Sequence, residues 1–535
     1  MVKEKISKLL NKITKKIIKK EGVRNFKFEK FEIEHPKNKN FGDYSTNLAL
    51  VLAKHLKKDP MEIGEKIKAQ ISKAKTDLFE KIEVVKPGFI NFFLKKEFLQ
   101  KKVLEIIKEK KNFGKLKIGK KQKVQVEFIS ANPTGPIHVG NARSSFFGDL
   151  LAKVLERSGY KVEREYFIND GKFNTQIRTL GQTALGRGTA YLTEELKVQI
   201  KKLKNKLKKI TDEGEAGYLL DQEIQKENKK FIEKKLKIKF DNWVSEQKLY
   251  EQKRVEKIFQ WLKKKGLTYE KDGAFWIKLS EFGAEKDEVL IKKEGGPSYF
   301  LSDIAYHKFK FERNFKKIIN IWGADHQGHV KRMKILAKIL GYKGDFEILI
   351  CQIVTLKGGK KFAKRKGEII TLKQLIDEVG LDVVRFFYLT KSLSTQMEFD
   401  LDLAKEQSEK NPVYYIQYAH ARICSILKKL KTQNSKLKIN AKNLKLLNHP
   451  AELELIKQLI KFPEIIEDCA KDYQLQRIPQ YALNLASLFH QFYQECKVLT
   501  EDKNLMEARL NLILATKIVL KNVLDLMGIS APEKM

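Results

Sequence analysis

The loop between residues 127 and 141 carries the side chains in this sequence that are best suited to bind a reactive ligand. It reads EFISANPTGPIHVGN and lies between a strand-like segment and a helix-like segment. Pro136 tightens its backbone, Gly140 lets a flat or phosphorylated ligand approach closely, and His138 heads the helix, where N–H groups and the dipole favour phosphate. Taken alone, the loop also fits an ordinary strand–turn–helix connection with an incidental histidine, so both interpretations stay open.

A second loop, GGKKFAKRKG at residues 358–367, combines flanking glycines with a run of cations. It follows the apolar segment FEILICQIV closely. Such a loop can close over a triphosphate and balance developing negative charge, with Lys361 and Lys364 as candidate cations. It is not a Walker A loop, because no G-x-x-x-x-G-K-[ST] stands near it. A solvated hairpin tip in a lysine-rich chain is the alternative interpretation.

The histidines and cysteines do not predict a metal site. His326 and His329 lie three residues apart, but no third ligand follows at a suitable spacing. The four cysteines lie at least 27 residues apart and form no C-x-x-C pair. We therefore expect no protein-bound zinc and no disulfide scaffold, which is typical of a reducing compartment such as the cytosol.

The segments around the two loops predict an α/β domain. Period-two alternation in VQVEFIS indicates a strand, the segment that ends at Gly159 indicates a helix, and KVEREYFIND and IINIWGAD indicate further strands. FEILICQIV is apolar almost throughout, which suits a strand buried on both faces. Strands alternating with helices predict a parallel sheet, and ligands of such sheets bind at the carboxyl ends of the strands.

Changes in composition divide the chain into three units. Residues 1–115 read as a separate α+β unit that begins with a lysine-rich helix. Residues 116–380 hold the α/β pattern, interrupted at about 180–265 by a highly charged helical stretch that looks like an insertion. From about residue 381 strand patterning disappears, and apolar residues recur at helical spacing. Residues 381–535 are therefore predicted to end in a helix bundle.

The charge of the chain points to its class of partner. With 107 Lys and Arg against 67 Asp and Glu, the net charge is +40, which favours a polyanion such as a nucleic acid. Lysine enrichment from an AT-rich genome is the alternative. The apolar fraction of 42% excludes a disordered chain. No stretch approaches 18 apolar residues, so no membrane-spanning segment is expected.

Taken together, these segments carry a resemblance to a known family. HVGN at 138–141 and KFAKR at 361–365 resemble the HIGH and KMSKS signatures of class I aminoacyl-tRNA synthetases. EFISANPTGPIHVGN, PSYFLSDIAYHKFKFERNF, WGADHQGHVKRMK and NPVYYIQYAHARI resemble arginyl-tRNA synthetases, in family order along nearly the whole chain. The resemblance implies a Rossmann-type catalytic domain, an N-terminal α+β domain that contacts tRNA and a C-terminal helical anticodon-binding domain.

The activity that the resemblance implies is ligation of arginine to tRNA(Arg) through an arginyl-adenylate. ATP is then a substrate that arrives with Mg²⁺, and the enzyme is expected to be a monomer with no membrane partner. A class I synthetase for another amino acid is one alternative. A tRNA-binding paralogue without activity is the other, and the departures from the two signatures keep it open.

The resemblance also implies roles for individual residues. Three are implied to be catalytic: His138, Lys361 and Lys364. These three are implied to bind ATP together with Pro136, Gly140 and Asn141. Recognition of arginine is implied for Glu127, Ser130, Asn132, Tyr299, Asp303 and Gln327. Tyr414, Tyr415 and Tyr418 stand at helical spacing and are expected to be mostly core aromatics, with one or two of them, Tyr414 and Tyr418 being the candidates, facing outward to stack on tRNA bases.

Two features of this site are expected to differ from the usual pattern. Asn141 replaces the last histidine of the HIGH signature, so it offers a donor to phosphate but no cationic form. Phe362, Ala363 and Arg365 replace Met, Ser and Ser of the other signature, which removes hydroxyls but keeps the charge.

Because arginine is a cation, the pocket must be acidic within a basic chain, and Glu127 and Asp303 are the expected source of its negative charge.

Overall fold

The computed structural model describes residues 1–22, 30–74, 76–358, 370–432 and 440–535. Its strands are β1 (Ile33–Glu34), β2 (Tyr44–Thr46), β3 (Phe79–Val85), β4 (Phe89–Leu94), β5 (Lys123–Glu127), β6 (Lys161–Ile168), β7 (Asn242–Ser245), β8 (Thr268–Lys271), β9 (Ala274–Ile277), β10 (Glu288–Ile291), β11 (Lys317–Gly323), β12 (Asp345–Cys351), β13 (Val354–Leu356) and β14 (Met397–Phe399).

Its α-helices are α1 (Val2–Lys20), α2 (Leu48–Leu56), α3 (Pro60–Lys73), α4 (Lys96–Glu109), α5 (Val139–Arg157), α6 (Thr175–Ala184), α7 (Glu194–Leu207), α8 (Glu213–Lys234), α9 (Glu246–Glu251), α10 (Arg254–Lys264), α11 (Tyr299–Phe311), α12 (Val330–Ile339), α13 (Leu372–Val379), α14 (Leu381–Leu389), α15 (Leu401–Lys405), α16 (Pro412–Thr432), α17 (Pro450–Asp472), α18 (Arg477–Glu495) and α19 (Lys503–Met527).

The centre of the fold is a parallel sheet with the strand order β12–β11–β5–β6–β7. The chain lays down β5, β6 and β7 in one direction and then returns to add β11 and β12 on the other side of β5. Strand order therefore reverses between β5 and β11, where Glu127 pairs with Asn320. Ligands of open α/β sheets bind at the carboxyl edge of such a reversal. The expected Rossmann-type fold class is confirmed.

Helix α5 forms as its sequence predicts. It begins directly after the first loop, packs against β6 and β11, and buries its apolar residues, among them Phe146, Leu150 and Val154. The helix ends at Arg157, and Gly159 follows with φ of +92°, a left-handed conformation that glycine adopts without strain. The first loop is thus connected to one of the most buried helices of the fold.

The inserted region differs from the expectation at its carboxyl end. Helices α6, α7 and α8 form a helical unit, but residues Asn242–Ser245 join the central sheet as β7, with Trp243 paired to Tyr166 of β6. The expected range of 180–265 for a helical insertion is therefore wrong beyond α8. A four-residue edge strand between two charged helical stretches is too short to show a period-two pattern.

The strands β8, β9 and β10, which the sequence did not predict, form a separate antiparallel sheet.

Two strand assignments are corrected by the sheet order. FEILICQIV forms the edge strand β12, whose side chains are mostly half-buried, because an edge strand has only one neighbour. Strand structure also does not stop at residue 381, since Met397–Phe399 pairs in parallel with β13. This three-residue strand falls between helices and carries no alternation long enough to detect.

The units on either side of the catalytic sheet pack against each other. In the N-terminal unit, an antiparallel sheet of order β1–β2–β4–β3 packs against α2 and α3. In the C-terminal unit, α16 to α19 pack together, and α17 and α19 also contact α4 and α5. One hydrophobic core runs through both units and α5. No helix among the described residues is both long and apolar enough to cross a membrane.

Candidate active site

The first loop leaves β5 through a sharp turn at the carboxyl edge of the sheet. Ile129 and Ser130 have φ of +68° and +36°, a left-handed region that costs residues with side chains about 1–3 kcal/mol. Ser130 Oγ donates a hydrogen bond to Glu127 Oε1 at 3.1 Å and accepts one from the Phe167 N–H at 3.0 Å. These bonds hold the turn against β6, so the strained backbone stays in place where the site is built.

The first turn of α5 holds His138 as a neutral hydrogen-bond donor. Its Nδ1 accepts a hydrogen bond from the Gly140 N–H at 3.0 Å, which places the ring proton on Nε2. Burial lowers the pKa of His138, and this favours the neutral ring. Gly140 is needed because a Cβ there would lie 2.8 Å from His138 Cε1. The Nε2–H group is thus left to donate to a ligand.

Asn141 has a structural role that explains its place in the loop. Its Oδ1 accepts a hydrogen bond from the His138 N–H at 3.2 Å, which completes a reciprocal cap between His138 and the third residue of α5. Asn141 also lines the cavity described below. The asparagine therefore orients the helix start without adding a charge.

Helix α11 forms the opposite wall of the site. Ser298 caps its first turn by accepting a hydrogen bond from the Leu301 N–H at 3.2 Å. Tyr299 and Asp303, four residues apart, line the same cavity, as helical spacing predicts. His307 lies one turn further along on the same wall.

A buried hydrogen-bonded chain joins α11 to β5 and β11. Lys310 Nζ donates to Glu127 Oε2 at 2.6 Å and to Asn320 Oδ1 at 2.7 Å. Asn320 Nδ2 donates to His307 Nε2 at 2.9 Å, and His307 Nδ1 donates to the Asp303 carbonyl oxygen at 2.8 Å. Burial alone would raise the pKa of Glu127, but the Lys310 ammonium outweighs it and holds that pKa below its usual value. Burial lowers the pKa of His307 to about 3, so its ring is neutral.

A cavity of about 390 Å³ opens at the carboxyl edge of the central sheet. The residues expected from the sequence that line it are Glu127, Ser130, Asn132, His138, Gly140, Asn141, Tyr299 and Asp303. Pro136 lines a neighbouring crevice of about 250 Å³ instead. Gln327 is exposed on the 3-10 turn Ala324–His329, from which its neighbours Asp325 and His326 reach the cavity. The structure therefore separates Pro136 and Gln327 from the other expected residues.

The cavity is locally acidic although the chain is strongly basic. Burial, followed by repulsion from Glu246 and Glu127, raises the pKa of Asp303 well above its usual value. Asp303 itself, followed by burial, raises the pKa of Tyr299. The nearby cations are already engaged, since Lys310 pairs with Glu127. Among the described residues Asp303 has no salt-bridge partner of its own. A cationic ligand would supply that missing charge.

Lys361 and Lys364 lie outside the described residues. The described residues on the carboxyl side of the second loop contact the first loop: Thr371 forms an antiparallel bridge with His138, and the Leu372 N–H donates to the Ile137 carbonyl oxygen at 3.0 Å. On its amino side, β13 ends at Leu356. The chain therefore returns from the second loop directly beside the start of α5.

Known families and proteins match this chain along its length. Family models match residues 1–94 (arginyl tRNA synthetase N terminal domain), 102–243 and 188–386 (tRNA synthetases class I (R), catalytic domain) and 416–535 (DALR anticodon binding domain). The arginine–tRNA ligase of Caldanaerobacter subterraneus subsp. tengcongensis is 44% identical, with 100% of this chain and 98% of that protein covered. The arginine–tRNA ligase of Acetivibrio thermocellus is 42% identical, with 100% of both covered. This chain belongs to the arginine–tRNA ligase family.

Solved structures agree with this family membership. The arginyl-tRNA synthetase of Thermus thermophilus superposes with a TM-score of 0.79 at 21% identity, covering 100% of both chains. At that identity the match concerns the fold, which the two proteins share from the N-terminal unit to the last helix. The family resemblance carried by the sequence is confirmed by the family models and by the two arginine–tRNA ligases above.

In this arginine–tRNA ligase chain, an aromatic groove lies at the start of the segment matched by the anticodon-binding model and extends to residues just before it. It lies between α16 and α18, has a volume of about 740 Å³ and is lined by both Tyr414 and Tyr418. Tyr418 is 41% exposed, and its ring stacks on His490 with centroids 5.9 Å apart. Arg422 Cζ lies 4.9 Å from the centre of the Tyr418 ring. The groove offers stacking faces beside a cation.

Several residues that shape the site were not found by sequence reasoning. His307 and Lys310 had a detectable signal, because they follow Asp303 by four and seven residues and so share its helix face. Asn320 and Glu246 gave no such signal in the sequence, since they reach the site from β11 and from the start of α9. Glu246 is buried, accepts a hydrogen bond from Ser302 Oγ at 2.7 Å, and lines a cavity next to Tyr299.

Proposed function

We propose that this enzyme ligates L-arginine to tRNA(Arg) through an arginyl-adenylate, consuming ATP and releasing AMP and diphosphate. The observation that carries the proposal is the cavity itself, where Asp303 lacks a cationic partner among the described residues and His138 offers a neutral donor. One wall suits the guanidinium of arginine and the other suits the phosphates of ATP. Membership of the arginine–tRNA ligase family supports the same reaction.

The first step is attack of the arginine carboxylate on the α-phosphorus of ATP. His138 Nε2–H donates to a phosphate oxygen as negative charge develops there, and Gly140 and Asn141 border the same phosphates. The KFAKR signature supports Lys361 and Lys364 as the cations that stabilise the departing diphosphate. This chemistry depends on positioning and charge, so it requires no covalent enzyme intermediate. The terminal ribose of tRNA then takes the arginyl group from the adenylate.

Mg²⁺ is expected to enter with ATP, bound to its phosphates. The described residues contain no group of three His, Cys, Asp or Glu side chains that could hold a metal. Mg²⁺ commonly keeps water ligands and binds through substrate phosphates rather than in a cage of protein groups. Its role here would be to neutralise phosphate charge.

Arginine recognition is proposed to centre on Asp303. Its carboxylate accepts the guanidinium fork, and Tyr299, four residues earlier on α11, packs beside it. Because Glu127 is already paired with Lys310, it is not proposed to bind the guanidinium directly. It contributes negative potential to the cavity and orients Ser130. Asn132 borders the α-amino and carboxylate end. The exposed position of Gln327 removes it from the proposed contact set.

For tRNA, we propose that residues 1–115 hold its elbow and that residues 381–535 comprise a segment that contacts its stem and the helical domain that binds its anticodon. Residues 116–380 form the catalytic unit between them. The groove lined by Tyr414 and Tyr418 suits stacking of unpaired bases, and the matched DALR domain, which includes Tyr418, supports this role. We further propose that the enzyme acts as a monomer in the cytosol.

The proposal is tested by charging total tRNA with each of the twenty amino acids in turn. Arginine alone should be attached. Charging of a different amino acid would indicate another class I specificity, and charging of none would indicate a tRNA-binding paralogue.

His138→Ala should lower the activation rate by about 10²–10³ and leave arginine affinity nearly unchanged, because the donor acts once attack has begun. Lost arginine binding at an unchanged saturated rate would contradict this role of His138.

A further inference from the structure

Helix α7 carries a concentration of positive charge that the proposed catalytic cavity does not use. Between Leu196 and Ile210 stand seven lysines and no acidic residue. Leu196, Leu203 and Leu207 are buried and attach the helix to the rest of the insertion. The lysines therefore occupy the face that points away from the protein.

The lysines on and just after α7 fall into two rows at helical spacing. One row consists of Lys197, Lys201, Lys204 and Lys208, which follow one another at intervals of four, three and four residues. Lys202, Lys206 and Lys209 form the second row. All seven are exposed, and only Lys197 has a salt bridge, to Glu194, among the described residues. At about 1.5 Å of rise per residue, the first row spans about 16 Å.

The amino end of α7 lies beside the first loop. Thr193, Leu196 and Gln199 line the crevice of about 250 Å³ whose other wall contains Pro136 and Thr371. Pro136 belongs to the first loop, and Thr371 follows the carboxyl end of the second. Helix α1 also has a lysine-rich outer face, but it does not line this crevice. A polyanion bound along the lysines of α7 would therefore run toward the first loop.

The backbone before α7 adds an independent observation. Tyr191 has φ of +65°, a strained conformation for a tyrosine, and its side chain is 39% exposed. An aromatic ring held outward in this way is a stacking surface for an unpaired base. A row of phosphate-binding cations next to an exposed ring fits nucleic acid better than an acidic protein or a lipid surface.

We propose that the first lysine row of α7 and Tyr191 bind the acceptor arm of tRNA. The lysines contact its phosphates, and Tyr191 stacks on an unpaired nucleotide near its 3′ end. This inference rests on the proposed function, which brings that end into the catalytic cavity. The partner arm is assigned by position, because the anticodon-binding model matches the opposite end of the chain.

The test uses the full-length enzyme with three lysines replaced: Lys201→Gln, Lys204→Gln and Lys208→Gln. The matched control carries Lys257→Gln, Lys264→Gln and Lys265→Gln on and just after α10, where all three are exposed and without a salt bridge among the described residues. Direct binding is measured with an acceptor-arm hairpin RNA and an anticodon-arm hairpin RNA over a range of salt concentrations. Circular dichroism checks that each variant is folded.

The α7 variant should bind the acceptor-arm hairpin about tenfold more weakly, with the salt dependence reduced by about three in log–log slope. Its binding of the anticodon-arm hairpin, and its KM for arginine and ATP, should stay unchanged. Tyr191→Ala should weaken binding of the acceptor hairpin with a 3′ overhang but not of a blunt one. An equal loss in the α10 control, or no loss in either variant, would overturn the proposal. So would loss of binding to anionic phosphatidylglycerol vesicles with RNA binding intact.

The same experiment separates this inference from the proposed function. Hairpin binding does not require the enzyme to charge tRNA. If the wild-type enzyme fails to charge arginine but the α7 variant still loses acceptor-arm binding, only the proposed reaction is wrong. If charging is normal and the α7 variant binds like wild type, only the assignment of α7 is wrong.

Discussion

At the scale of single residues, Asp303 decides what the cavity attracts. It is a half-buried carboxylate near Glu246 and Glu127, with no salt bridge among the described residues. Asp303→Asn should weaken arginine binding by about 2–5 kcal/mol and leave ATP binding unchanged, because it removes the partner of the guanidinium. Calorimetric titration with each substrate measures both. Asp325→Asn, on the exposed rim of the cavity, is the control and should weaken arginine binding by less than about 1 kcal/mol. Unchanged arginine affinity in Asp303→Asn would make this residue a structural charge.

The raised pKa of Asp303 predicts how arginine binding depends on pH. Burial and neighbouring carboxylates raise the pKa of Asp303 in the empty protein, so protonation competes with arginine at acidic pH. Arginine affinity should increase as pH rises toward that pKa and level off above it. An acid whose folded pKa is raised contributes stability below its unfolded pKa and loses it as pH rises through the folded value. The empty enzyme should therefore lose stability over this window, and arginine should restore it.

Melting temperatures measured against pH, with and without arginine, check this linkage. In Asp303→Asn, the pH dependence of the rise in melting temperature that arginine causes should disappear. A wild-type arginine affinity that is flat from acidic to neutral pH would show that another group sets the charge of the cavity.

Gly140 is predicted to act through the orientation of His138. A methyl group at Gly140 would lie 2.8 Å from His138 Cε1, so Gly140→Ala should displace the imidazole. A misplaced donor can cost about 10² in rate, and the ATP–diphosphate exchange rate at saturating substrates measures it. Gly328→Ala is the matched control, since a Cβ there meets nothing within 4 Å. Normal exchange in Gly140→Ala would mean that the ring has room to adjust.

At the scale of elements, α11 combines substrate contact with internal support. Tyr299, Asp303 and Lys310 share one face of this helix, and Lys310 is completely buried against Glu127. Lys310→Met should destabilise the protein by about 3–5 kcal/mol, because it leaves a buried carboxylate without its counter-charge. The double variant Glu127→Gln, Lys310→Met should regain most of that loss, because it removes both charges. Thermal unfolding of Lys310→Met, Glu127→Gln and the double variant measures the coupling, and additive losses would contradict it.

The Lys310 variant should also reverse the pH dependence at Glu127. In the wild type, Lys310 holds the pKa of Glu127 below its usual value, so the pair contributes stability that is lost as pH falls through that pKa. Without Lys310, burial would raise the pKa of Glu127, and stability would instead be lost as pH rises.

At the scale of the whole molecule, a buried carboxylate joins the N-terminal unit to the helix bundle. Glu464 of α17 accepts hydrogen bonds from the Lys3 backbone N–H at 2.8 Å, from His35 Nε2 at 2.9 Å and from Tyr44 Oη at 3.2 Å. These donors come from α1, from the segment after β1 and from β2. The residue therefore ties several N-terminal elements to a single point of the C-terminal unit.

Glu464→Ala should loosen the N-terminal unit without unfolding the catalytic sheet. Hydrogen bonds to a charged group contribute about 1.5–3 kcal/mol each, so hydrogen exchange in α1 should accelerate by about tenfold or more. Glu467→Ala, on the same helix in a pair with Lys471, is the control and should leave α1 protected. Protection of α1 that survives Glu464→Ala would show that apolar packing alone holds the two units together.

The sequence by itself determined whatever depends on near neighbours along the chain. The turn and cap around His138, the shared face of Tyr299 and Asp303 and the helix that ends at Gly159 follow from local spacing and backbone preference. The parallel α/β class followed from alternation of strands and helices. Short strands such as β7 and β14 were not predicted from the sequence, because three or four residues carry no periodic signal.

Only the tertiary structure decided which distant side chains meet. Glu127 and Lys310 lie 183 residues apart, and their pairing depends on β5 and β11 being neighbours in the sheet. The same sheet order brings Asn320 to that pair and turns β12 into an edge strand. Local patterns also could not show that Pro136 and Gln327 do not line the cavity. Hydrophobic periodicity specifies which face of an element is buried, but strand order and packing determine what that face touches.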